Sequence, residues 1–173
     1  MKTMIKKMKT AGLGLAVVCA FICLTSEKLN MAANFSGQWT LNTTKSELGQ
    51  YGARMAATKM TVVADANGMS VEKTTNGQNG ETKVTDKITF DGKENSNAFF
   101  GTNTRQSTSK WSDDGKTQTT TWKASMENNG QKFDLSGSET WSLSADGATL
   151  TLTNSTSFGG QANTTKQVYD KAK

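Results

Sequence analysis

The stretch Phe35-Ser36-Gly37-Gln38-Trp39-Thr40-Leu41 decides how the chain is interpreted. Within it, Trp39 and Leu41 fall on one face of an extended chain, and Gln38 and Thr40 fall on the other. This alternation is typical of a half-buried strand. The residues before the stretch have the character of a targeting segment, and those after it form short apolar runs separated by turn residues. We therefore expect the folded domain to begin here.

The first 33 residues have the pattern of a signal peptide and a short leader. Residues 1–10 carry four lysines and no acidic residue, and the apolar run AGLGLAVVCAFICLT follows at residues 11–25. A charged segment before a short apolar run is typical of a secretory signal, whereas a transmembrane helix needs roughly 20 apolar residues. We expect an exported chain. A retained membrane anchor and a lipid anchor at Cys19 or Cys23 are the alternatives.

Removal of this segment changes the charge balance. The whole chain has 20 basic and 15 acidic residues, and residues 34–173 retain 15 and 14 of them. No basic face is clustered in that part, so we expect no nucleic-acid partner. Both cysteines lie in the leader, so the remaining chain is predicted to have no disulfide or thiol chemistry. Residues 34–173 fit a single domain, which we expect to be monomeric.

Beyond the first strand, alternating runs are separated by turns that contain glycine. The clearest alternation covers residues 132–144, and the clearest turns are 65–68, 112–115 and 145–147. About nine strands at such short spacing predict an antiparallel meander. We favour an all-β, up-and-down barrel of about 8–10 strands over a sandwich, because closure removes the exposed edge strands.

Two segments interrupt the strand pattern. Residues 45–57 show no clear alternation, and we expect a loop with a helical turn lying across one end of the barrel. Residues 93–101 are predicted to form a polar loop that contains Phe99 and Phe100. The sequence also contains a weak repeat of a Trp-Ser pair followed shortly by an Asp-Gly pair. It occurs at Trp111-Ser112 with Asp114-Gly115, and again at Trp141-Ser142 with Asp146-Gly147.

The sequence offers few residues for catalysis. It contains no histidine, so a histidine general base is excluded. Asp113, Asp114 and Asp146 lie in turns that lack the spacing of a calcium loop, and no residue cluster has zinc-ligand spacing. We expect no metal, no cofactor and no enzymatic activity. An enzyme would instead need a pocket with at least two convergent titratable groups of perturbed pKa.

Three charged residues fall on faces that are otherwise predicted to point inward. They are Asp86, Arg105 and Glu139. A buried carboxylate needs a partner or a wet cavity, so the hypothesis is that all three face the barrel lumen with Arg105 between the carboxylates. A misread register is the alternative, because a slip of one residue turns each side chain to solvent.

Several motifs, in this order, resemble the small secreted lipocalin-like domains of bacteria. The matching motifs are Phe35 to Trp39, Lys45-Ser46, Asp91-Gly92-Lys93, Trp141 to Thr151 and Val168-Tyr169-Asp170-Lys171. The chain departs from true lipocalins because its last strand offers Lys166 and Lys171 in place of an arginine, and because residues 155–162 do not supply a helix before that strand. The resemblance implies a central cavity and a periplasmic or secreted protein.

The sequence therefore predicts an exported barrel that binds a small, partly apolar or amphipathic molecule in its lumen. The predicted ligand-binding residues are Trp39, Asp86, Arg105, Trp122, Phe133, Leu135, Glu139 and Trp141. The alternative is a filled barrel that acts through its surface as an accessory or adaptor protein of the cell envelope. A cavity of several hundred Å³ favours the first function, and a solid interior favours the second.

Overall fold

The chain folds into ten antiparallel strands that form a nearly closed barrel. The computed structural model describes residues 32–77, 80–128 and 130–173. The strands are β1 (Gly37–Leu41), β2 (Lys59–Ala64), β3 (Gly68–Gly77), β4 (Gly80–Thr89), β5 (Asn95–Phe99), β6 (Asn103–Trp111), β7 (Thr117–Asn128), β8 (Gln131–Leu143), β9 (Thr149–Phe158) and β10 (Gln161–Lys171). This confirms the predicted all-β barrel. The predicted leader, residues 1–33, lies outside the described residues apart from Ala32 and Ala33.

The strand order makes the barrel an up-and-down meander. The order is β4-β3-β2-β1-β10-β9-β8-β7-β6-β5, so the first strand pairs with the last. In that pair Leu41 lies opposite Tyr169, and Trp39 lies opposite Lys171. The Phe35–Leu41 stretch therefore meets the end of the last strand, and this pairing joins the two ends of the chain.

Side chains bridge β4 and β5, which stand at the two ends of the strand order. The backbone N–H of Lys87 donates to Oδ1 of Asn97 at 2.7 Å, and Nδ2 of Asn97 donates back to the Lys87 carbonyl at 2.8 Å. Asn95 donates to the same carbonyl through its own amide. Amide side chains therefore take over the backbone pairing where the barrel is not fully closed.

One end of the barrel is sealed by aromatic side chains. Phe35 stacks on Trp111 with ring centroids 5.6 Å apart and meets the edge of Trp141 at 5.7 Å. The indole of Trp39 donates to the Phe35 carbonyl at 2.9 Å, and both side chains are fully buried. The segment before β1 thus closes this end, and burial of several large aromatics there contributes much of the core energy.

The two predicted repeat turns share one hydrogen-bonding pattern at the sealed end. Ser112 donates to Asp114 at 2.7 Å, and Ser144 donates to Asp146 at 2.6 Å. Each serine hydroxyl also accepts from the backbone N–H five residues further on. The repeat is therefore a repeated turn structure, in which a short polar side chain replaces a backbone partner.

The opposite end carries the helix α1 (Gly49–Met55), which contacts β3 and β10. A helical turn within residues 45–57 was predicted and is present. The polar loop predicted for residues 93–101 is wrong in part, because Asn95–Phe99 forms β5. The inward face of β5 has Phe99 as its one apolar side chain, and the inward Asn97 bonds to β4. Within the described ranges, no helix has the length and apolar character to cross a membrane.

Candidate functional site

An internal cavity of about 400 Å³ lies between the aromatic core and α1. The core side chains Met60, Leu152 and Tyr169 form part of its wall. The residues that line it are Gly52, Met55, Ala57, Met60, Lys73, Thr75, Phe99, Phe100, Arg105, Trp122, Leu135, Glu139, Leu152, Asn154, Thr156, Asn163, Thr165, Gln167 and Tyr169. The barrel is therefore filled at one end and hollow at the other.

Apolar side chains line the cavity toward its open side. Phe99 packs against Phe100 at 4.6 Å and against Trp122 at 5.1 Å between ring centroids. Met55 of α1 and Phe100 are 59% and 52% exposed, although both also line the cavity. Both side chains thus place apolar surface where the cavity wall reaches solvent.

Trp122 is held against the cavity by a glycine on the neighbouring strand. Trp122 lies opposite Gly137, where a Cβ atom would approach the indole ring to 2.6 Å and the Ser155 carbonyl to 2.3 Å. No side chain fits at such distances, so the absence of a Cβ at Gly137 leaves room for the indole against β8. The Arg105 guanidinium lies over the same ring, with Cζ 5.7 Å from the ring centroid, which is within the range of a cation–π interaction.

Four charged side chains form a closed set in the wall, which we call the charge cluster (Lys73, Asp86, Arg105 and Glu139). Arg105 donates from Nη1 to Glu139 at 2.6 Å and from Nη2 to Asp86 at 2.8 Å. Nζ of Lys73 lies 3.0 Å from Asp86 and 3.4 Å from Glu139. Each cation therefore contacts both carboxylates, and the formal charges cancel.

Three members of the charge cluster, Lys73, Arg105 and Glu139, are held in their ionised forms. Burial alone would raise the pKa of Glu139, but Lys73 and Arg105 outweigh it and lower that pKa from 4.5 to about 2. Burial likewise opposes the charge on Lys73 and Arg105, yet the two carboxylates outweigh it and raise both pKa values. Opposite charges at hydrogen-bonding distance favour the charged forms.

These pKa directions determine what chemistry the cavity supports. Convergent titratable groups are present, which is the feature that an enzyme would require. A general acid or base, however, works best when its pKa lies near the operating pH, and the pKa of Glu139 lies near 2. Burial and the charge of Glu139 raise the pKa of Tyr169, so its phenol stays neutral. The arrangement suits electrostatic positioning rather than proton transfer.

Neutral polar side chains cover another part of the wall, which we call the polar wall (Thr75, Asn154, Thr156, Asn163, Thr165 and Gln167). Five of its members come from β9 and β10, and all of them line the cavity. Gln167 accepts a hydrogen bond from the Tyr169 hydroxyl at 2.7 Å, which leaves its amide N–H groups as donors. The cavity thus combines aromatic, neutral polar and paired ionic surfaces.

The structure brings together part of the residue set predicted to bind a ligand. Arg105, Trp122, Leu135 and Glu139 line the cavity, and Asp86 contacts Arg105 behind them. Three predicted residues lie elsewhere. Trp39 and Trp141 are fully buried in the core below the cavity, and Phe133 packs on Phe158 at 5.8 Å between ring centroids. Trp122 therefore lines the cavity, whereas Trp39 and Trp141 belong to the filled core.

Sequence reasoning missed Lys73 and the polar wall. Lys73 shares the inward face of β3 with Met69 and Val71. Since β3 pairs with β4, this alternation could have placed Lys73 close to Asp86. The polar wall gives a weaker signal, because Asn154 and Thr156 continue the inward face that Leu150 and Leu152 begin. A polar residue in phase with apolar ones marks a wet interior.

No group of acidic, cysteine or histidine side chains within the described ranges is placed to hold a metal ion. No protein-family model matches the chain, and no curated protein matches it significantly. Among solved structures, the chain is similar to zebrafish ileal bile acid-binding protein complexed with cholic acid. The identity is 15%, the match covers 80% of this chain and 98% of that chain, and the TM-score is 0.51. At this identity the similarity shows a shared fold.

Proposed function

We propose that this chain is an exported barrel that binds a small, partly apolar molecule in its lumen. The observation that carries the proposal is the cavity of about 400 Å³ beneath α1. Ligand cavities in proteins measure roughly 300–1,000 Å³ and combine apolar walls with a few placed polar groups. A barrel that acted only through its surface would have no need of such a space, because small barrels are readily filled by their own side chains.

The cavity wall supplies the ligand-binding residues of this proposal. Trp122 and Leu135 would contact the apolar part of the molecule, and Arg105 and Glu139 would orient its polar part. Asp86 acts behind them by holding Arg105. The structural relative with the same fold is described as a bile acid-binding protein complexed with cholic acid, which supports a ligand-binding function for this barrel type without identifying the ligand here.

Export is the second part of the proposal. It rests on the lysine-rich and apolar runs of the first 33 residues, and periplasm or culture medium is the expected location. The intact mass of the protein from its own source tests this part. A mature chain that still carries residues 1–33 would contradict cleavage.

A cavity-filling substitution tests lumen binding. N-phenyl-1-naphthylamine is an uncharged fluorophore whose emission rises in apolar surroundings, and we expect it to bind the wild-type protein saturably. Thr156 lines the cavity, so Thr156→Trp should fill part of it and weaken binding by about tenfold or more. The measurement is a fluorescence titration, with thermal unfolding to confirm that the variant is folded.

Thr164→Trp is the matched control for this experiment. Thr164 lies on β10 opposite Ser155, and its side chain is exposed on the outer face. We expect this variant to bind the fluorophore within about twofold of the wild-type affinity, because successive strand residues point to opposite faces. Equal loss of affinity in both variants, or no saturable binding by the wild-type protein, would contradict a site in the lumen.

A further inference from the structure

The charged side chains of the cavity wall leave no charge to pair with a ligand. The charge cluster has two cations and two anions, and each cation lies within 3.4 Å of both carboxylates. Asp86, Arg105 and Glu139 have side chains that are 5–8% exposed. An ionised head group placed beside this set would find no free opposite charge there, and a charge without a partner is costly to bury.

The rest of the wall adds hydrogen-bonding capacity without charge. Its polar residues are threonines, asparagines, a glutamine and a tyrosine, all of which are neutral. Within the described part of the chain, the side chains of Asn154 and Thr156 make no hydrogen bond to protein, so their amide and hydroxyl groups remain available to a ligand. Such groups both donate and accept, which matches hydroxyl, ester and amide functions.

One donor of the charge cluster is also unused. Nε of Arg105 is buried and has no hydrogen-bond partner among the described residues, although both Nη atoms are engaged. A buried donor without a partner has lost its hydrogen bonds to water without replacing them, which is unfavourable. Nε is almost inaccessible from the cavity, so the neutral polar wall supplies the hydrogen-bonding groups that reach a ligand.

We propose that the ligand is an uncharged amphiphile, with hydroxyl, ester or amide groups at one end and an apolar body at the other. This inference rests on the proposed lumen-binding function and specifies its ligand class. The polar groups lie against the polar wall and the charge cluster. The apolar body lies against Trp122, Leu135 and the Phe99-Phe100 pair. The balanced charge cluster then acts as a selectivity element, because it disfavours an ion of either sign.

Three probes with the same twelve-carbon chain test the ligand class. They are 1-dodecanol, dodecanoate and dodecyltrimethylammonium, titrated calorimetrically into the full chain at pH 8, where dodecanoate is ionised. We expect dodecanol to bind about tenfold or more tightly than either ion. Dodecanoate or dodecyltrimethylammonium binding as tightly as dodecanol overturns the inference and leaves the proposed function standing. Absence of binding by all three probes overturns the proposed function itself.

Charge-changing variants show whether the cluster causes the selectivity. Glu139→Gln leaves the cluster with one excess positive charge, so the affinity for dodecanoate relative to dodecanol should rise by about tenfold or more. Lys73→Met leaves one excess negative charge and should shift the ratio toward dodecyltrimethylammonium. The two variants are expected to shift the relative probe affinities in opposite directions. If one of them fails to fold, the other still tests the inference.

Glu72→Gln is the matched control, because it changes the net charge of the chain by the same amount as Glu139→Gln. Glu72 is adjacent to Lys73 on β3 but belongs to the outer face, where its carboxylate pairs with Lys83 at 3.0 Å and is 44% exposed. We expect the probe ratios of this variant to equal those of the wild-type protein. Equal shifts in Glu72→Gln and Glu139→Gln would overturn the inference, since net charge alone would then explain the selectivity.

Discussion

Arg105→Met is expected to lower the free energy of unfolding by about 3–5 kcal/mol at neutral pH. Arg105 lies between Asp86 and Glu139, with contacts of 2.8 and 2.6 Å. Its removal leaves Lys73 to compensate two buried carboxylates, so one negative charge remains unpaired. Methionine replaces the aliphatic stem of Arg105 and has a similar volume, so most of the loss in stability comes from the missing charge. Equilibrium unfolding in urea measures the effect.

A second substitution separates charge balance from other effects of losing Arg105. In the double variant Arg105→Met/Glu139→Gln, the remaining pair is Lys73 and Asp86, which lie 3.0 Å apart. The cluster is neutral again, so we expect the double variant to be more stable than Arg105→Met alone. A double-mutant cycle gives the coupling between the two positions. A double variant that is less stable than Arg105→Met would contradict the account of the cluster as a balanced unit.

The wild-type protein is expected to lose stability steeply in acid because of Glu139. The pKa of this residue is lowered from 4.5 to about 2 in the folded chain, so the unfolded chain binds a proton at a higher pH than the folded chain does. The stabilisation is complete above about pH 4.5 and disappears as the pH falls toward 2. The loss from this one group amounts to about 3 kcal/mol over that window.

The acid effect is measured by urea unfolding at a series of pH values between 6 and 2. Glu139→Gln lacks the titrating group, so its stability should fall less steeply below pH 4.5. Glu72→Gln again serves as the control, because Glu72 lies in a pair that is largely exposed to solvent, where ion pairs contribute little. If wild type and Glu139→Gln lose stability in parallel, Glu139 does not have the lowered pKa.

The fold was predictable because each strand carries its own pattern. Trp39 and Leu41 alternate with polar residues, and turns with glycine separate the later strands, so a meander and the pairing of first and last strands follow from short-range signals. β5 was missed because Phe99 is the one apolar side chain on its inward face. The inward side chain of Asn97 is fixed by bonds to Lys87, and a partner on another strand is not visible in a local pattern.

Alternation along a strand predicts which face a side chain occupies, so the inward orientation of the site residues was predictable from the sequence. Asp86, Arg105 and Glu139 are in phase with apolar neighbours, and all three are buried. Alternation does not say how far along the barrel axis a residue lies. For that reason Trp39 and Trp141 were grouped with Trp122, although the first two belong to the filled end and Trp122 to the hollow end. Depth along the barrel depends on strand register, which only the structure supplies.

Native mass spectrometry of the protein purified gently from its own source shows whether the lumen carries a ligand. We expect one small molecule bound per chain, released on mild activation, with an apolar body and no charged group. The Thr156→Trp variant prepared in the same way should carry much less of it, because the substituted side chain occupies the cavity. A wild-type protein that carries no bound molecule after gentle purification would contradict the claim that this barrel is a ligand carrier.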